Sequence, residues 1–98
     1  MDVTFTLQGI AFVWDMNKAR GNPLKHEGVT FEQSAEAFFD PFLKVVDASR
    51  QEQARDAVIG TDREGRLLFV VHIAFEEQAI RIISARKATR EERRHYED

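Results

Sequence analysis

The sequence predicts an α+β domain: one mainly antiparallel sheet, two N-terminal helices and a C-terminal helix, with the helices on one face. Three observations predict it. Short runs of β-branched and aromatic residues crowd the stretch after residue 42, a similar run opens the chain, and two capping boxes mark helices before and after the later runs. The 98 residues suit one domain with a single core, and no linker, repeat or low-complexity stretch divides residues 1–98.

The elements follow in order. "VTFTLQGIAFVW" reads as an opening strand, with Gly9 as a bulge or turn. Asp15 then caps a short helix, "MNKARGN", which Gly21 and Pro23 interrupt or end, and "LKHEG" adds a helical turn stopped by Gly28. Thr30 and Gln33 form a capping box, and Phe31, Ala35, Phe38 and Phe42 recur at helical spacing until Asp40-Pro41 ends the helix. "FLKVVDA", "ARDAVIGT", "RLLFVVHIAF" and "QAIRIISA" are strand-like, with reversals at "DREG" and "EEQ". Thr89 and Glu92 make a second capping box and open the terminal helix. Arg90, Arg93, Arg94 and Glu97 fall on one side of it, facing solvent or a polyanion.

Composition excludes several classes. The chain has no cysteine, so neither a disulfide framework nor a thiolate metal site is available. No apolar run approaches the ~20 residues of a membrane span, and the start lacks a signal-peptide pattern, so a cytoplasmic protein with no membrane contact is expected. The net charge of −3 argues against a general nucleic-acid binder, but its distribution is uneven. Met16 to His26 holds Lys18, Arg20 and Lys25 with no acid, and Gln78 to Arg94 holds six basic residues against two acids. The interval from Glu27 to Glu64 carries nine acids and four bases, so the surface is expected to be polarised.

Nucleotide-binding and hydrolase motifs are absent, and His26, His72 and His95 show no metal-ligand spacing, so neither metal nor cofactor is expected. The remaining inventory suits cleavage of RNA by its own 2′-hydroxyl. That reaction needs a base, cations around the phosphorane, and an acid for the leaving 5′-oxygen. Arginine suits the middle role because its planar fork pairs with phosphate oxygens. His26, next to Lys25, is either a proton carrier or a helix-end histidine facing water. Strand alternation sends Arg81 and Arg86 to opposite faces. Arg81 lies in an apolar strand, where it either lines an anion-binding cleft or pairs with Asp56 or Glu77, and Arg55 raises the same choice. Trp14 is expected in the core rather than stacked on a base, and Tyr96 packed on the sheet rather than presented to substrate.

Three segments carry a resemblance that covers nearly the whole chain. "FVWDMNKARGNPLKHEGVTFEQSAEAFFDP" (12–41), "AVIGTDREGRLLFVVH" (57–72) and "RIISARKATREERRHYE" (81–97) resemble, in order and spacing, the opening, middle hairpin and close of the BrnT-type toxins. The resemblance implies a RelE-like fold and an endoribonuclease that inhibits translation. It also implies a ribbon-helix-helix antitoxin of BrnA type as partner, in a heterotetramer that reaches operator DNA only through the antitoxin. Carried over, Lys25 or His26 would serve as base or acid, with Arg55 and Arg81 neutralising the phosphorane. Arg86 and Lys87 would hold flanking phosphates. Independently of the resemblance, Arg90, Arg93 and Arg94 of the basic closing helix are expected to extend the RNA-binding surface, with "KARGNPLKH" as the opposite wall. Two departures stand out: Glu27 splits the usual K-H-G and is placed to pair with Lys25 or His26, and "FVWD" replaces F-E-W-D. The alternatives are a non-catalytic protein-binding module and a degenerate toxin kept for operon regulation.

Overall fold

The computed structural model describes residues 1–74 and 79–98. Strands β1 (Asp2–Leu7), β2 (Ile10–Asp15), β3 (Lys44–Asp47), β4 (Asp56–Thr61), β5 (Leu67–Ala74) and β6 (Ala79–Lys87) form one sheet in the order β1-β2-β6-β5-β4-β3. All neighbours are antiparallel except β2 and β6, which run parallel over Ala11–Val13 and Ala79–Arg81. The helices are α1 (Met16–Lys25), α2 (Phe31–Glu36), which continues as a 3-10 turn over Ala37–Phe39, and α3 (Arg90–Glu97). An α+β domain is what the sequence predicts. The expected reversal at "EEQ", and Glu77 as a partner for Arg81, lie outside the described residues.

The expectation of two N-terminal helices does not match, because a full hairpin, not a single opening strand, precedes them. "VTFTLQGIAFVW" folds as two strands about Gln8 and Gly9, with φ of 49° and 81°. Two successive left-handed residues give the turn whose twist matches that of the paired strands. Helix α1 also differs, because Gly21 and Pro23 do not end it. Asp15 caps it, accepting from Lys18 N at 3.0 Å, and His26 N donates to Asn22 O at 2.9 Å at its far end. The buried side chain of Asn22 anchors the helix by donating from Nδ2 to the carbonyls of Val29 and Ala85, both at 2.8 Å. Those bonds offset the one that Pro23 cannot donate.

Both capping boxes form as expected, Thr30 with Gln33 and Thr89 with Glu92. Phe31 and Ala35 are buried, but Phe42 lies beyond the helix and is 73% exposed. The Asp40 carboxylate turns the chain there, accepting from Phe42 N at 2.9 Å. On one sheet face Phe12, Trp14, Val58, Leu68, Val70, Ile82 and Ala85 pack with Phe31, Ala35 and Ala37 to make the core. Gly60 allows the 3-10 turn to sit directly on β4, since a Cβ there would lie 2.6 Å from Ala37 O. Trp14 contacts Phe5 and Phe31, with ring centroids 5.5 and 5.6 Å away, and belongs to this core.

Not every helix lies on that face. Helix α3 borders Val46, Ile59 and Phe69, the last two of which alternate with the core residues of β4 and β5. Its half-buried Tyr96 donates to Asp40 Oδ2 at 2.6 Å, and Asp40 Oδ2 also accepts from Thr61 N at 2.9 Å. The expected packing of Tyr96 is thus joined by a hydrogen bond that ties α3 to β4.

Candidate functional site

A bulge in β6 decides which side chains share the open face. Val71 pairs with Ser84 and His72 with Ile82, so Ile83 is an extra residue on β6. The regular alternation expected of this strand is therefore broken. Arg81, Ser84 and Arg86 stand opposite Ile73, Val71 and Phe69 and share one face, instead of the two arginines pointing apart.

Two adjoining depressions on this face share Arg55 and Ser84 and form one trough. The first, about 300 Å³, runs past Asp47, Arg50, Phe69 and Arg86; the second, about 450 Å³, runs past Lys18, Asn22, Lys25 and His26. The end of α1, the start of β4 and the C-terminal half of β6 thus converge. Along the trough Lys18, Lys25, Arg50, Arg55 and Arg86 are cationic, and Asp47 is the one carboxylate among the lining residues. Asp47 is already engaged, accepting from Ser49 Oγ at 2.6 Å and Ser49 N at 3.0 Å. A chain of net charge −3 therefore presents a locally positive groove.

Each cation is held differently. Arg55 donates from Nη2 to Gln53 Oε1 at 2.6 Å, while its Nε is buried with no hydrogen-bond partner among the described residues. An unpaired buried donor costs about 1–3 kcal/mol, and this one belongs to a residue that lines both depressions. Arg86 lies 4.3 Å over the Phe69 ring and makes a two-pronged pair with Glu92, Nη1 to Oε1 at 2.8 Å and Nη2 to Oε2 at 2.9 Å. That pair raises the Arg86 pKa. Burial pushes the Glu92 carboxyl up, but the Arg86 and Thr89 hydrogen bonds outweigh it and hold the carboxyl below its ordinary range.

The structure gathers four of the predicted residues, Lys25, His26, Arg55 and Arg86, along this trough. It separates the others. Arg81 lines neither depression; both of its terminal nitrogens donate to the Asp2 carboxylate, which raises its pKa. Lys87 pairs with Glu27 at 3.4 Å, so Glu27 engages neither Lys25 nor His26 as expected. Arg90, Arg93 and Arg94 are exposed on α3 and do not line the trough, so the basic helix is not one of its walls. Lys18 and Asn22 belong to the "KARGNPLKH" segment expected as a wall and line the trough, whereas Ser84 lines it without having been singled out. Asn22 looks like turn composition between Gly21 and Pro23, and only its bond to Ala85, 63 positions on, reveals its role.

The site belongs to a small α+β domain that offers a cationic, arginine-lined groove to an anion. The chain is a member of the BrnT family, described as a ribonuclease toxin of type II toxin-antitoxin systems, and the match covers residues 14–92. No curated protein matches it. Among the described residues no helix is long and apolar enough to cross a membrane.

Proposed function

We propose that the protein is a metal-independent endoribonuclease whose active site is the trough between α1 and β6. The observation that carries this reading is the meeting of Lys25 and His26 with Arg55 and Arg86 along one groove. A phosphodiester lying there has proton-transfer groups at one end and guanidiniums at the other. His26 or Lys25 takes the 2′-hydroxyl proton, the 2′-oxygen attacks phosphorus, and the 5′-oxygen leaves with a proton from the partner group. Arg55 supplies its unpaired Nε to the phosphorane oxygens, and Arg86 holds the adjoining phosphate. Arg81, committed to Asp2, is left to structure rather than chemistry.

Cleavage would inhibit translation in the cytoplasm until an antitoxin of BrnA type covers the groove. Support for a docking segment comes from β3, a sheet edge with Val45 57% and the neighbouring Phe42 73% exposed, where an added strand finds free backbone groups and apolar purchase. The RelE-like fold class and the heterotetramer acting on operator DNA through the antitoxin belong to the same reading. Single-turnover cleavage of an oligoribonucleotide in EDTA tests the chemistry. Wild type should cleave, and Lys25→Ala and His26→Ala should each slow it while remaining folded. No cleavage by wild type, with or without added magnesium, would leave the non-catalytic binding module as the reading that stands.

A further inference from the structure

The Arg86 guanidinium does not spend all of its hydrogens on Glu92 and Lys87. A guanidinium has five N–H groups, one on Nε and two on each Nη. Nη1 of Arg86 donates to both Lys87 O, at 3.2 Å, and Glu92 Oε1, at 2.8 Å, so both of its hydrogens are used. Nη2 spends one hydrogen on Glu92 Oε2, at 2.9 Å. Among the described residues no acceptor takes the Nε hydrogen or the second Nη2 hydrogen, which lie side by side on one edge of the planar group. That edge has the spacing of two phosphate oxygens. Phe69 lies 4.3 Å beneath the guanidinium and fixes its plane.

Glu92 is itself rigidly held. Its backbone N–H donates to Thr89 Oγ1 at 3.2 Å and its Oε1 accepts from Thr89 N at 2.9 Å, which closes the capping box of α3. The helix start therefore grips the carboxylate, the carboxylate grips the end of the guanidinium, and Phe69 supports its face. Three contacts from two elements fix one arginine along the wall of the trough.

We infer that Glu92 is a positioning residue: it clamps Arg86 end-on so that the free side edge of the guanidinium is presented to a phosphodiester in the trough. The inference rests on the proposed ribonuclease reading for its substrate. It also explains why an acid can sit beside an RNA-binding cation without cancelling it. Glu92 occupies the end of the fork, and the phosphate takes the side. The capping box of α3 is then more than a helix-start device, because it couples that start to the geometry of the site.

The test compares wild type, Glu92→Gln, Arg86→Ala and the double variant. Glutamine keeps the side-chain oxygen that accepts from Thr89 N, so the cap and fold are preserved, but it cannot accept two charged donors. The first readout is single-turnover cleavage at saturating RNA, where loosening Arg86 should slow Glu92→Gln by about tenfold or more, since misplacement of order 1 Å costs up to ~100-fold. The second is the Kd for a 2′-O-methyl oligoribonucleotide, which binds without being cleaved. Glu92→Gln should weaken that Kd when Arg86 is present and leave it unchanged when Arg86 is already alanine. Tighter binding by Glu92→Gln would overturn the clamp and make Glu92 a competitor for Arg86. Equal weakening in both backgrounds would overturn it too, reducing Glu92 to a helix cap. If wild type cleaves no RNA but the Arg86-dependent Kd effect persists, the ribonuclease reading fails while the clamp stands.

Discussion

The two ends of β6 carry an arginine each on the same sheet face, and they have opposite fates. At the N-terminal end Arg81 is enclosed by acids: Asp2 takes its terminal nitrogens, and Asp15 stands directly across from Asp2 in the hairpin. At the C-terminal end Arg86 also has a carboxylate, but it lies along a trough shared with Arg55, Lys25 and Lys18. The difference is not in the arginines or in having a partner. It lies in how many cations remain once the local acids are used. At Arg81 the charges balance and the result is a brace between β1 and β6; at Arg86 they leave an excess of positive charge along the trough.

The largest expected effect sharpens that contrast at Arg55. Arg55→Ala should lower the single-turnover cleavage rate by about a hundred- to thousandfold, as for loss of one preorganised donor to a developing charge, with the circular dichroism spectrum unchanged. Next comes the anchor of the trough. Asn22→Ala orphans the carbonyls of Val29 and Ala85 and should destabilise the fold by about 1–3 kcal/mol for each group that water cannot reach, read from urea denaturation.

A smaller effect should follow acid. Burial raises the Asp40 pKa, but hydrogen bonds from Tyr96, Phe42 N and Thr61 outweigh it and hold it below its ordinary value. A carboxyl lowered in the folded state stabilises fully above its unfolded pKa, near 3.9, and that contribution fades as pH falls through the lower folded value. Melting between about pH 5 and 2 should therefore be steeper in wild type than in Asp40→Asn, whose residue 40 no longer titrates. Least of all should change at the other end of β6, where Arg81→Ala should cleave RNA at the wild-type rate. A large loss there would place both ends of β6 in the site.

What was legible in the sequence was local. Both capping boxes, the Asp15 cap, the turn at Gly65 and the run of late strands depend on residues within a few positions of each other, and each formed. Bulge and turn at Gly9 look alike in the sequence because Gln8-Gly9 lacks the Asn or Asp that usually flags such a hairpin. The continuation of α1 past Pro23 depends on Ala85, and the commitment of Arg81 depends on Asp2, 79 positions away. No window of sequence holds both partners. The bulge at Ile83, which puts Arg81 and Arg86 on one face, has no glycine or proline to announce it. Residue types are legible in the sequence, and the fold alone decides which of them meet.

The parallel seam between β2 and β6 also sets an order of events during synthesis. Phe12 and Trp14 share a core with Ile82 and Ala85, and the β1–β2 hairpin joins the sheet only through β6. Pairings so distant along the chain are slow to close and wait for their second strand to exist. A nascent chain that has displayed Lys25, His26 and Arg55 still lacks the wall that Ser84 and Arg86 complete. The groove is therefore complete only once β6 has emerged, a delay written into the strand order.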